Sequence, residues 1–238
     1  MLPQMKTIAY FHSPFPSKFG IPRQSGIIPE VEGYVEFVPE WRTPDAIRGL
    51  EDFDYLWLIW VFSANRNTRN TPLVRPPLLG GNTKMGVFAT RSPYRPNPIG
   101  ISSVRIIDID TKIPGNPIIH VSGGDLMDGT PILDIKPYLS YTDCHPHAHC
   151  GFAEQEKWRN LQVIIPTHLQ ESFTTKELST ITHILEQDPR PHYQNEDNRI
   201  YGMTFQNYDI HFRVRKDILI VENIVILQNS DSTKHKIL

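Results

Sequence analysis

Between residues 55 and 107 the chain has no Asp or Glu at all, although that window holds Arg66, Arg69, Arg75, Lys84, Arg91, Arg95 and Arg105. Seven cations without one carboxylate stand out in a protein of formal net charge −2. Ion pairing among sequence neighbours is thereby excluded, and the stretch reads as a local electropositive surface for a polyanion on an otherwise acidic chain. Cysteine is equally scarce. Only Cys144 and Cys150 are present, which rules out a disulfide framework and points to a reducing compartment. Long hydrophobic runs are missing too: the longest, YLWLIWVF at 55–62, falls far short of the roughly 20 residues a membrane helix needs. The opening MLPQMKTIAYFHSPF lacks the apolar core and small-residue cleavage site of a signal peptide. No Gly-rich phosphate loop follows a strand, which argues against a Rossmann-type nucleotide site. These absences leave a soluble cytoplasmic protein as the expectation.

What is present reads as mainly β. Short apolar or alternating segments at 34–38, 55–62, 85–90, 101–109, 118–121 and 131–135 are separated by Gly, Pro, Asn and Asp. Residues 55–62 look like a strand buried on both faces. Many short strands with almost no helical periodicity predict a closed barrel over residues 1–145. A connection over 146–170 leads to a smaller α+β domain over 171–228, and 229–238 is a flexible tail. In that second domain Thr174 and Glu177 have capping-box spacing, and Leu178, Ile181, Ile184 and Leu185 share one helical face. Pro189 and Pro191 stop this helix, and strands follow at 209–214 and 218–227.

Five constellations could carry chemistry. In IPRQSG (21–26) a stiff turn presents a guanidinium and an amide, or is simply a surface turn. ATRSPYRPNPIG (89–100) sets Arg91, Tyr94, Arg95 and Asn97 among three prolines, which limit the entropy lost when a ligand is gripped. GGDLMDGTP (123–131) offers Asp125 and Asp128 to ribose hydroxyls, an amino group or a metal, or merely as turn caps. CHPHAHC (144–150) packs five soft ligands into seven residues. Its spacing fits no standard zinc pattern, and it reads as a solvated linker. In QDPRPHYQ (187–194), Arg190, His192 and Tyr193 suit phosphate and base-stacking contacts, or a plain helix stop.

Taken together, PRQSG, AIRGLEDFDYLWLIWVF, VRPPLLGGNTKMGVFATRSPYRPNPIGIS, DLMDGTPILDIKPYL and QDPRPHY resemble the TsaA-like β-barrel family. The resemblance covers nearly the whole chain and is weakest at about residues 140–170. It implies a homodimeric, S-adenosylmethionine-dependent methyltransferase without a metal. The implied substrate is N6 of threonylcarbamoyladenosine at position 37 of tRNA, with a threonine tRNA as the expected species. Carried over residue by residue, cofactor contacts fall on Pro22, Arg23, Gln24, Ser63, Ala64, Arg91, Ile101, Asp125, Leu126, Met127 and Asp128. At Ser63 and Ala64 relatives carry larger polar residues, so backbone contact is expected there. Tyr94 and Asn97 are the catalytic candidates, as residues that orient the base, and no side chain is assigned as general base. Arg95, Arg190 and Tyr193 are the RNA-binding candidates. The rival readings are a non-catalytic tRNA-binding or cofactor-sensing barrel, and a methyltransferase of another RNA or metabolite.

Overall fold

A computed structural model describes residues 4–65, 71–155, 160–190, 196 and 199–227. The chain divides into two compact units: Met1–Ser13 with Arg23–Trp158, and Pro14–Pro22 with Arg159–Leu238. The first unit contains β1 (Ala9–His12), β2 (Glu32–Phe37), β3 (Tyr55–Val61), a two-stranded ribbon of β4 (Leu73–Val74) and β5 (Met85–Gly86), then β6 (Ile99–Asp110), β7 (Ile118–Ser122) and β8 (Thr130–Pro137). Six of these pair into a closed barrel in the order β1-β2-β7-β6-β3-β8, and the β1–β8 ladder completes the ring. Closure removes the exposed sheet edges that short strands would otherwise present.

The barrel core follows the period of two. Leu56, Leu58 and Trp60 point inward from β3 and meet Phe11, Val35, Phe37, Val104, Ile119, Val121, Leu126 and Ile132. The expectation that 55–62 is buried on both faces needs correcting, because the alternate residues of β3 are only partly covered. Trp57 faces outward and is sheltered by the chain after β8. Its ring lies 5.6 Å from that of Tyr138, and its Nε1–H donates to Asp143 at 2.8 Å. The apolar run is thus a core strand whose outer face is roofed by a loop.

A second correction concerns 85–90. Only Met85 and Gly86 are extended there, and Val87–Ala89 winds into a 3-10 turn braced by Thr90, whose N–H and hydroxyl both donate to the Val87 carbonyl. Phe88 is consequently thrust outward at 79 % exposure.

In the second unit, β9 (Gln162–Ile164), β10 (Ile200–Phe205), β11 (Tyr208–Arg215) and β12 (Ile218–Ile226) form a sheet in the order β10-β11-β12-β9. The helix Thr175–Glu186 opens with a capping box between Thr174 and Glu177 and buries Thr180, Ile181, Ile184 and Leu185. The segment 14–22 joins this unit through Phe15, which meets Phe205 edge-on at 5.7 Å, and Phe19, which stacks on Phe212. Gly20 takes a positive φ of 88° with the Met203 sulfur against its α-carbon, where a Cβ would fall 2.5 Å from that sulfur. No described helix is long and apolar enough to cross a membrane.

Candidate functional site

Three loops far apart in sequence converge on the barrel. The 23–26 turn is tied to the 123–128 loop by the Gly26 N–H, which donates to the Gly123 carbonyl at 2.8 Å. Both residues take positive φ, 79° and 77°, a backbone conformation that favours glycine. The same turn reaches β6, where the Ser103 N–H donates to Ser25 Oγ at 3.2 Å. Gln24 bridges to the third loop. Its Oε1 accepts from Arg91 Nη1 at 2.5 Å while its Nε2 donates to the Arg23 carbonyl at 2.6 Å. Arg23, Gln24, Arg91 and Asp125 are therefore brought together.

Asp125 is the electrostatic centre of this group. Burial pushes its carboxyl above the usual carboxylate range. The Ser102 hydroxyl, its own N–H, the Ser25 N–H and the Arg91 guanidinium all pull the other way. Its Oδ1 accepts from Ser102 Oγ at 2.5 Å. Leu126 anchors the loop in the core at 1 % exposure, and Met127 closes a tight turn by accepting the Thr130 hydroxyl at 2.7 Å.

Asp128 is handled differently. Its Oδ1 accepts from the Ser13 N–H at 3.3 Å and pairs with His12 Nδ1 at 3.1 Å. Partial burial alone would raise this carboxyl, but the His12 and Ser13 hydrogen bonds outweigh burial and hold it below its ordinary value. His12 rises in turn, chiefly through Asp128, with Glu36 3.5 Å away adding to the effect.

The remaining expected residues are distributed as follows. Ser63 and Ala64 lie just past β3, after Phe62, and the Ser63 N–H is already spent on the Val61 carbonyl. Ile101 projects from β6 at 51 % exposure, an apolar surface beside the buried Ser102. Tyr94 and Asn97 lie exposed on the 87–98 loop, which is braced internally by the Thr90 and Ser92 hydroxyls and tied to the end of β3 by the Phe62 N–H, which donates to the Pro98 carbonyl. Arg95 donates Nη1 to the Thr90 carbonyl of its own loop. Pro22 is buried and grouped with the second unit, so the site described is the barrel's own. Tyr193 and His192, like Arg66 and Arg69, lie outside the described residues. Of the other cations in the acid-free window, Arg75, Lys84, Arg91 and Arg105 are exposed.

Arg190, an RNA-binding candidate, is paired within the chain. Its Nε and Nη2 donate to the two oxygens of Asp188, each at 2.8 Å, and its side chain is 10 % exposed. The guanidinium is thus held by Asp188 of its own loop and also bonds to Tyr201 of β10. Among the described residues no group of three metal-ligating side chains is found; Cys144 and Cys150 are exposed.

The tRNA-methyltransferase O N-terminal domain matches residues 10–144, and the TrmO C-terminal domain matches 158–226. The chain belongs to the tRNA-methyltransferase O family. It is 36 % identical over 219 residues to the tRNA (adenine(37)-N6)-methyltransferase of Escherichia coli, covering 89 % of this chain and 93 % of that one. A putative S-adenosylmethionine-dependent methyltransferase of Pseudomonas aeruginosa is also 36 % identical, over 92 % of this chain and 96 % of its own. A crystal structure of TrmO superposes with a TM-score of 0.75 at 32 % identity, covering 94 % of this chain and all of the other.

Four side chains of the site are not singled out by the sequence reading, although the first three fall inside the motifs quoted above: Ser25, Trp60, Ser102 and His12. Of these, Ser102 alone carries a signal in the sequence. It is a polar residue at an inward position of β6, between inward-facing Gly100 and Val104, and such a residue must find a partner.

Proposed function

We propose that this chain is an S-adenosylmethionine-dependent methyltransferase acting on N6 of adenosine 37 of tRNA, the reaction for which its E. coli relative is named. One observation carries the reading. The segments around Arg23, Arg91 and Asp125 meet at one polar centre of the barrel, in a chain that aligns with that enzyme along most of its length.

The donor set fits the cofactor. Asp125 and Asp128 suit ribose hydroxyls, an ammonium or a sulfonium, and Arg91 suits a carboxylate. The backbone at 23–25, Ser63 and Ala64 offers polar edges to adenine, and Ile101 offers an apolar face. Leu126 and Met127 complete the loop that holds the two carboxylates. Bound there, S-adenosylmethionine supplies an electrophilic methyl group. The protein's task is then to hold donor and acceptor in line and keep water out, which accounts for much of the acceleration such displacements need. Tyr94 and Asn97 stand ready on the rigid 87–98 loop to orient the acceptor base. A prior threonylcarbamoyl group on N6 would acidify the N6–H and present a carboxylate to the acid-free arginines, so that no strong protein base is required. We take the barrel as the cofactor unit and the C-terminal unit as a tRNA-contacting one. The working enzyme is read as a metal-independent cytoplasmic homodimer, with a threonine tRNA as substrate.

The test is methyl transfer to one tRNA prepared with and without the threonylcarbamoyl group. Several charged hydrogen bonds, each about 1.5–3 kcal/mol, depend on that anion, so the rates should differ by orders of magnitude. Comparable rates on both would replace this substrate with unmodified adenosine.

A further inference from the structure

Behind the site carboxylate runs a short hydrogen-bonded relay. Trp60 Nε1–H donates to Ser102 Oγ at 2.9 Å, and the Ser102 hydroxyl donates onward to Asp125 Oδ1 at 2.5 Å. Ser102 is 1 % exposed and Trp60 8 %. The register explains the alignment. Trp60 of β3 sits opposite Gly100 of β6, and Leu58 opposite Ser102. Gly100 lacks the Cβ that would fall 2.4 Å from the indole ring, so the ring lies flat across it and reaches the serine two residues on. The indole has only a donor to give, which forces the direction of the chain. Ser102 must accept from Trp60, and its one proton is left for the carboxylate.

The geometry points to Ser102, held by Trp60, as a positioning residue that aims the Asp125 carboxylate and keeps it anionic for a cationic ligand; this rests on the cofactor reading given above. A carboxylate in so buried a place is otherwise drawn toward its neutral form, in which it would lose its attraction for a positive group. The charged group that bears on Asp125 from another element is Arg91. Ser25 contributes an uncharged N–H, and Asp128 on the same loop is engaged by His12. The serine hydroxyl is thus the side-chain donor that distinguishes a fixed anion from a drifting one.

The test reads the carboxyl directly. In the ligand-free chain, the Asp125 ¹³C carboxyl resonance, assigned by its loss in D125N, is titrated in wild type, S102A, S102T and W60F. Removing a hydrogen bond to a charged group should raise the S102A midpoint by about one pH unit. S102T should restore it, and W60F should shift it the same way by less. Calorimetry with S-adenosylmethionine should then show S102A binding up to about tenfold more weakly than wild type at a pH below the two measured midpoints, with the gap closing at a pH well above them. A midpoint unmoved in S102A, or S102T behaving as S102A, overturns the role; so does an affinity loss equal at both pH values. If S102A does not fold, W60F takes its place in both measurements, since it keeps an aromatic ring and removes the N–H; an unmoved W60F midpoint then overturns the role. A shifted midpoint in a chain that binds no cofactor would refute the cofactor reading while leaving the Ser102–Asp125 coupling standing.

Discussion

Arg91 and Arg190 both sit in loops stiffened by proline, and both carry the fork of donors that suits carboxylate or phosphate. The fold uses them in opposite ways. Arg91 is exposed, bonded to the neutral amide of Gln24, and bears on a carboxylate that lies partly buried across the site. Arg190 is nearly buried and bidentate to Asp188, which raises it above its ordinary value. Asp188 itself follows the helix Thr175–Glu186 with a positive φ of 50°, its N–H donating to the Leu185 carbonyl. The pair therefore ends a helix and turns the chain. The difference is one of partners. A guanidinium beside a neutral amide in an acid-free stretch keeps its charge for a ligand, whereas one with an aspartate two residues away has already spent it.

The largest effect should come from Arg91→Ala. Losing charge-assisted contacts of about 1.5–3 kcal/mol corresponds to roughly 10- to 150-fold weaker cofactor binding. Stability should stay within about 0.5 kcal/mol of wild type, as for other exposed substitutions. Calorimetry and urea unfolding on the same preparation check both halves. An unfolded variant would make Arg91 structural and erase the contrast.

Arg190→Ala should give the mirror image: unchanged cofactor affinity, and a stability loss of about 1.5–3 kcal/mol as Asp188 loses its partner. A double-mutant cycle with Asp188→Asn would assign the loss to the pair. Weakened tRNA binding with undiminished stability would show instead that Arg190 serves RNA.

Much of this is legible in the sequence alone, and the reasons are local. The apolar strand at 55–62 and the capping box at Thr174 each act over a few residues. The acid-free window marks the 87–98 loop because charge is written directly in sequence. What stays hidden depends on long-range contact. Residues 14–22 precede most of the barrel, yet Phe15 and Phe19 pack on Phe205 and Phe212, far along the chain. β1 and β10 are not read from the sequence either: β1 has four residues, and β10 carries Gly202 in its middle, which weakens a strand pattern. Residues 85–90 resemble a strand because apolar composition cannot separate extended chain from a 3-10 turn. Trp60 passes for an ordinary strand residue, and the partner that the inward Ser102 needs stays hidden, since only the β3–β6 register sets Trp60 across from Gly100 and within reach of Ser102.

The smallest expected effect compares the two carboxylates of the 123–128 loop, and pH is the tool. Asp128 is lowered by His12 and the Ser13 N–H, so its stabilising contribution is present above the unfolded value near 3.8 and is lost as pH falls through the folded one. His12 is raised by Asp128 and Glu36, so its contribution is full below the unfolded value near 6.5 and is lost as pH rises through the folded one. Both contribute together only between those limits. His12→Gln should therefore cost most stability near pH 5.5 and less at pH 8.5. Because Asp128 remains 46 % exposed, solvent screens the pair, and the difference between the two pH values should be under about 1 kcal/mol. His12 also stacks on Tyr34 with ring centroids 4.6 Å apart, and that packing is indifferent to its charge to first order. Urea unfolding at the two pH values separates the contributions: the pH-independent part of the loss is packing, and the part that fades at high pH is the ion pair. A penalty equal at both would make His12 a packing residue and leave Asp128 to be held by the Ser13 and Gly129 N–H groups.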